Sequence, residues 1–259
     1  MKAQRTSLKE RQANKAAFLD LVRRSLEPFS RRFSVIEDGS TQPFVIERRG
    51  LGITKTRYGK FWHYAFVIND TWQKYSVFVK AQIDNTTLNP VFKDKGHLVL
   101  RIDSGCETGQ IFGDLTCECR EQLHLAMKTI AQNGEGMIIH IPDQDGRGKG
   151  LAFKLATLWL QDGLGLDTVE SARLLSENKS IDVRTYSGVI CIMKFFDIPE
   201  NCKISLATNN PRKAQIFPQN GYEVCDYIPI VIYPNRYTVE NLKAKQKYLG
   251  HKDLVKDDR

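Results

Sequence analysis

Residues 97–141 read HLVLRIDSGCETGQIFGDLTCECREQLHLAMKTIAQNGEGMIIHI, and the fold is decided here. His97 to Ile102 is a short apolar run of strand character that leads into a cysteine. Residues 120–132 place Leu123, Leu125, Ala126, Met127 and Ile130 on one apolar helical face, and Gly134 and Gly136 end it. Met137 to Ile141 then reads as a short buried strand. The alternation continues downstream. Helices are predicted at 151–161 and 186–196, and strands at 204–207 and 224–232, the last interrupted by Pro229. Helices alternating with short apolar strands predict an α/β or α+β fold, a mixed β-sheet core flanked by helices.

Upstream the pattern changes. Residues 43–82 carry short β-prone runs, Phe44 to Ile46, Phe61 to Ile68 and Tyr75 to Val79, which predict antiparallel strands. Residues 8 to about 34 read as a helix, with Phe18, Leu19, Val22 and Leu26 at helical spacing, and Pro28 closes the pattern. The expected organisation is an extra N-terminal helical extension over 1–40 and a single domain over 41–259. The chain has 259 residues and 41% apolar content, ordinary for a globular protein with a real core.

The net charge of +8 suits either solubility or a polyanionic ligand. Much of the excess is early, at Lys2, Arg5, Lys9, Arg11, Lys15, Arg23, Arg24, Arg31 and Arg32, where it alternates with Glu10, Asp20 and Glu27. That mixture describes a solvated charged helix better than a nucleic-acid arm. No apolar stretch approaches membrane-spanning length, and the N-terminus lacks a secretory signal pattern. A cytoplasmic protein is expected. Its 6 cysteines then read as thiols or metal ligands rather than a disulfide frame.

Cys106, Cys117 and Cys119 form a C-x10-C-x-C constellation with polar flanks. Three thiolates suit zinc, and three protein ligands leave a fourth position open, the catalytic arrangement. His124 competes as a fourth ligand that would close the site. Cys191, Cys202 and Cys225 are scattered and read as structural.

With these cysteines, the ordered motifs of residues 98–251 resemble GTP cyclohydrolase II. They are Arg101-Ile102-Asp103-Ser104-Gly105-Cys106-Glu107-Thr108-Gly109, Cys117-Glu118-Cys119 with Gln122, and Gln144-Asp145-Gly146-Arg147-Gly148-Lys149-Gly150. Leu160-Gln161-Asp162, Asp167-Thr168-Val169-Glu170, Thr208-Asn209-Asn210-Pro211-Arg212-Lys213 and a tail from Lys243 to His251 follow. The resemblance implies zinc on Cys106, Cys117 and Cys119, attack of water on C8 of GTP, opening of the imidazole ring, and pyrophosphate release with Mg2+ on the triphosphate. It implies Asp182 as proton acceptor and Arg184 acting at the α-phosphate. It implies substrate contacts from Arg101, Gln122, Asp145, Gly146, Arg147, Thr168, Thr208 and Lys213, and a homodimer. Residues 146–150 also read, on their own, as a glycine-rich basic turn at a helix start, where backbone N–H groups can bind phosphate.

Three positions depart from the family pattern. Gly105 stands for the usual Glu, Thr116 for an Arg, and Leu158 for a catalytic Tyr associated with loss of formate. They point to an enzyme that opens the ring and retains the formyl group. The alternatives are a paralogue acting on a different nucleotide, as in pyrimidine catabolism or a specialised pathway, and a non-catalytic nucleotide-binding protein.

Overall fold

The computed structural model describes residues 8–71, 74–177 and 179–255, so Lys2 and Arg5 lie outside the described residues. Its strands are β1 (Phe29–Glu37), β2 (Ser40–Thr56), β3 (Gly59–Ile68), β4 (Lys74–Lys80), β5 (Gln82–Ile83), β6 (Pro90–Val91), β7 (His97–Ser104), β8 (Gly136–Ile141), β9 (Lys203–Ala207) and β10 (Glu223–Ile228). Its α-helices are α1 (Leu8–Arg24), α2 (Cys119–Asn133), α3 (Leu151–Leu164), α4 (Thr168–Leu175), α5 (Ser187–Phe195) and α6 (Val239–Leu249). An 8-stranded sheet runs in the order β1-β2-β3-β4-β8-β7-β9-β10, and β5 and β6 form a separate ribbon. The β1–β4 half is an antiparallel meander that joins β8 antiparallel; β8, β7, β9 and β10 are mutually parallel. The mixed sheet flanked by helices is the architecture the alternating pattern predicts.

Strand β7 lies inside the parallel half and is covered on both faces. Leu98, Leu100 and Ile102 enter the main core, with Val189, Ile192 and Phe195 of α5. Val99 enters the second core, with Ala126, Met127 and Ile130 of α2. Successive side chains of a strand alternate in direction, so Arg101 and Asp103 continue the Val99 face. They leave the apolar layer only at the C-terminal end of the strand. His140 of β8 reaches the same point, its Nδ1 lying 2.9 Å from Asp103 Oδ2. Parallel sheets present ligand sites beyond the C-terminal ends of their strands, and the polar residues collect there.

The predicted helix to residue 34 ends instead at Arg24, and residues 29–37 are strand β1. Residues 31, 33 and 35 are more buried than their neighbours, a period of two. Arg31 obscures that period in the sequence; its guanidinium pairs with Asp197 at 2.7 Å and lies over the Phe33 ring. The 40/41 division expected from the sequence falls within the first residues of β2, and β1 and β2 both belong to the large sheet. The apolar stripe predicted for α1 is present but uncovered: Phe18, Leu19, Val22 and Leu26 are all exposed. Of the cysteines read as structural, Cys191 and Cys202 are buried and Cys225 is exposed. No described helix is long and apolar enough to cross a membrane.

Glu37 ties β1 to the opposite layer. Its carboxylate accepts from Tyr186 N at 2.6 Å, Ser187 N at 3.3 Å and Ser187 Oγ at 2.5 Å. These groups start α5, where backbone N–H groups have no helical partner and the helix dipole favours an anion. Replacing Glu37 with Ala is expected to lower stability by about 1–2 kcal/mol, the usual worth of a lost helix cap. Urea unfolding checks this; an unchanged midpoint shows that the cap contributes nothing.

Candidate active site

The three cysteines come from two elements that meet at the end of β7. Cys106 follows the strand and precedes a π-turn over Glu107–Ile111; Cys119 is the first residue of α2, and Cys117 lies just before it. Cys117 lies in the loop before the helix, where the strand alternation that would part residues two apart does not hold. The sulfurs of Cys106 and Cys117 are 3.6 Å apart, and all three lie within 4.8 Å of one another. Gly109 sits beneath them: a Cβ there would lie 2.5 Å from Cys117 Sγ and 3.3 Å from Cys106 Sγ. Gly105 is equally constrained. Its N–H donates to Ile141 O at 2.7 Å, and a Cβ would lie 2.8 Å from that oxygen. The backbone of this chain leaves no room for a side chain at the position.

Three thiols this close cannot all ionise without a cation, because like charges repel. Hydrogen bonds from Cys117 and Cys119 hold the Cys106 thiol below its ordinary pKa. A soft divalent cation that prefers sulfur fits this donor set. Among the described residues the metal-binding group comprises these cysteines alone. His124 does not join them; its ring lies 6.0 Å from that of Tyr58. The expected closed, four-ligand alternative therefore has no support at His124. Behind Cys106, its N–H donates to Gln110 Oε1 at 3.1 Å, and Gln110 Nε2 donates to Asp103 Oδ2 at 2.8 Å. Such outer partners orient metal ligands.

A cleft opens beside the sulfurs. Arg101, Gln122, Asp145, Gly146, Arg147, Thr168, Arg184, Thr208 and Lys213 all line it, together with the three cysteines. Asp182 does not. The glycine-rich turn over Asp145–Gly148 has Gly146 and Arg147 in the left-handed region, with φ of 56° and 59°. For arginine that conformation is strained, and it is held by its surroundings: Val183 N donates to Arg147 O at 3.0 Å. The Arg147 guanidinium donates to Thr168 O and Oγ1, each at 3.0 Å. The first residues of α3 do not line the cleft, whereas Phe153, Lys154 and Thr157 do. Gly146 and Arg147 of the glycine-rich turn, with Lys154 of α3, line the cavity on this side.

Asp145 is less free than its type suggests. Its oxygens accept from Glu107 N at 3.0 and 3.3 Å, so it braces the cysteine loop. Burial, followed by the charge of Cys106, raises its pKa to about 6. Asp182 is bound by Arg184 at 2.9 and 2.6 Å and by Arg212 at 2.9 Å. Burial pulls a carboxyl upward, but the Arg184 hydrogen bonds outweigh it and hold Asp182 below the usual carboxylate range. These contacts aim Arg184 into the cleft. Lys213 donates to Ile102 O at 2.9 Å, and burial, then Arg101 and Arg184, push its pKa well down.

Four lining residues carry a buried side-chain atom with no partner: Arg101 Nε, Ser104 Oγ, Glu118 Oε2 and Gln144 Oε1. Buried polar atoms without partners are costly, and their gathering at one cavity marks it as built for a polar ligand. The cleft also takes Lys154, Lys245 and His251, to which the sequence reading assigns no role. Lys245 and His251 belong to the tail motif, but motif order alone does not show that the tail folds back. Burial first, then Lys245, Arg184 and Lys213, lower the His251 pKa to about 3.

Comparison with known proteins agrees with this geometry. A family model described as GTP cyclohydrolase II matches residues 52–229. The GTP cyclohydrolase-2 of Picrophilus torridus is 34% identical over 196 residues, covering 76% of this chain and 93% of that protein. The GTP cyclohydrolase-2 of Shewanella piezotolerans is 39% identical over 161 residues, covering 62% and 75%. The riboflavin biosynthesis protein RibBA of Parabacteroides distasonis is 35% identical over 196 residues, which is 76% of this chain and 44% of that longer protein. With three cysteine sulfurs and a cation-lined cleft in matching residues, the chain belongs to the GTP cyclohydrolase II family and is a hydrolase.

Proposed function

We propose that the chain hydrolyses GTP, opening the guanine imidazole ring at C8 and releasing pyrophosphate, as a step toward riboflavin. The observation that carries this reading is the placement of three cysteine sulfurs, within 4.8 Å of one another, in one cleft with Arg147, Arg184 and Lys213. Cys106, Cys117 and Cys119 would hold zinc, which would supply the Lewis acidity that ring hydrolysis requires near neutral pH. The chain's own residues do the rest. Arg147, Lys154 and Lys213 offer positive charge to a triphosphate, which arrives as its magnesium complex. Arg184, aimed by Asp182, stabilises charge developing at the α-phosphate, because a fixed guanidinium needs no reorganisation there. Thr168 fixes Arg147, and Gln122, Arg101 and Thr208 complete the polar walls.

The product retains the C8 carbon as a formyl group. Leu158 lines a neighbouring groove with Thr116, Gln161 and Asp162, and it carries no hydroxyl. The α3 residue that does line the cleft, Thr157, has its hydroxyl proton committed to Lys154 O at 2.7 Å. A second reading, turnover of a different nucleotide, is favoured by Asp145, whose carboxylate is engaged by Glu107 N rather than free to read a base. The enzyme works as a homodimer within the cytoplasm. Support for assembly comes from uncovered apolar side chains, with Phe112 75% and Trp159 81% exposed.

Replacing Cys117 with Ser is expected to abolish turnover while nucleotide affinity, measured by calorimetry, stays within about threefold, the ordinary spread of context effects on one contact. Retained turnover in a metal-depleted Cys117→Ser protein defeats the zinc reading. Incubation with GTP, zinc and magnesium is expected to give a product whose mass includes the formyl group, with no formate in the proton NMR spectrum. Stoichiometric formate overturns retention, and turnover of ATP but not GTP establishes the second reading. Light scattering is expected to give the mass of two chains; a monomer mass at working concentration removes the dimer.

A further inference from the structure

Helix α6 begins beyond residue 229, where the family match ends, yet it reaches both arms of the site. On one side, Asn241 Oδ1 accepts from Thr168 N at 2.9 Å, and Thr168 in turn receives the guanidinium of Arg147. On the other, Lys245 Nζ donates to Glu118 Oε1 at 2.6 Å. Glu118 stands between Cys117 and Cys119 at the cap position of α2. The pair is deeply placed: the side chains are 19% and 5% exposed.

A buried ion pair is weak evidence for stability, since desolvation offsets much of its attraction. Its force is geometric, because neither partner can leave without stranding a charge. Glu118 is adjacent in the chain to two of the three sulfur-bearing residues, so a fixed Glu118 side chain fixes the backbone that carries them. Among the described residues its other oxygen, Oε2, is buried with no partner, and the one further side-chain donor to Oε1 is Gln122 Nε2, at 3.5 Å. Lys245 is thus the strong restraint on this carboxylate.

We propose that Lys245 is a positioning residue for the metal centre: through Glu118 it holds the Cys117–Cys119 loop in place, and with Asn241 it makes α6 the clamp that sets this loop against the glycine turn. The proposal rests on the zinc reading above, but not on any substrate.

Release of zinc from the loaded, full-length protein to a chromophoric chelator tests it, together with the absorption spectrum of the cobalt-substituted protein. Lys245→Met is expected to release zinc about tenfold faster or more, the usual effect of removing an outer partner of a metal ligand, and to shift the cobalt–thiolate bands. Lys245→Arg, which keeps the charge, is expected to restore slow release. A folded Lys245→Met protein with wild-type release and spectrum overturns the proposal. Should that variant fail to fold, the Glu118→Gln/Lys245→Met double variant removes the stranded charge; fast release supports the proposal and wild-type release overturns it. A wild-type protein that holds zinc but leaves GTP intact defeats the proposed activity alone, and the release experiment still decides the role of Lys245. A wild-type protein that takes up no zinc overturns both.

Discussion

Strand β7 carries two opposed demands. It is hydrogen-bonded on both edges and covered on both faces, so its side chains must be apolar or fully paired. Yet its last residues must deliver polar groups to a cavity. The strand resolves this along its length. Leu98 to Leu100 fill the two cores, whereas Arg101 and Asp103 emerge past the apolar layer and satisfy one another at 3.3 Å. Asp103 then reaches His140 and, through Gln110, the backbone of Cys106. The cysteine loop is thus connected to the middle of the sheet, and a fault in the packing of α2 or α5 against β7 would be felt at the sulfurs.

The cleft is an arrangement of charges rather than of shape. Arg147 and Arg184 are half-buried guanidiniums that crowd one another, and burial, then Arg184, lowers the pKa of Arg147 to about 10. Such crowding is unfavourable in isolation. Asp182 offsets part of it by pairing with Arg184 and Arg212, and a polyanionic ligand would offset more. The unpartnered atoms of Arg101, Ser104, Glu118 and Gln144 point to the same conclusion from the side of hydrogen bonding. Net charge alone left nucleic acid open as a partner; the concentration of cations inside one cleft suits a small polyphosphate better.

The three departures from the family pattern acquire a physical setting. Gly105 is enclosed by Ile141 and Pro142, so its lack of a side chain is built into the backbone path rather than being a tolerated loss. Thr116 and Leu158 line one groove together, outside the cleft. The α3 surface facing the ligand is instead made by Phe153, Lys154 and Thr157.

Much was legible in the sequence by itself. The alternation of periods from residue 97 onward determined a mixed sheet with flanking helices, since 2.0 and 3.6 are the only repeats those elements permit. Ordered motifs indicated which residues gather: of the thirteen candidate site residues, the twelve other than Asp182 line the cleft. What only tertiary structure decided is how far each residue is free to act. Asp182 is spent on two arginines, Asp145 on a backbone N–H, and Glu118 on a lysine 127 positions away. Local pattern also misplaced residues 25–34, because Arg31 and Arg32 hid a strand whose apolar side is defined by the partner it pairs with. Sequence spacing reports which faces a residue can occupy; the hydrogen-bond and charge partners that consume its chemistry come from distant segments, and only the folded chain brings them within reach.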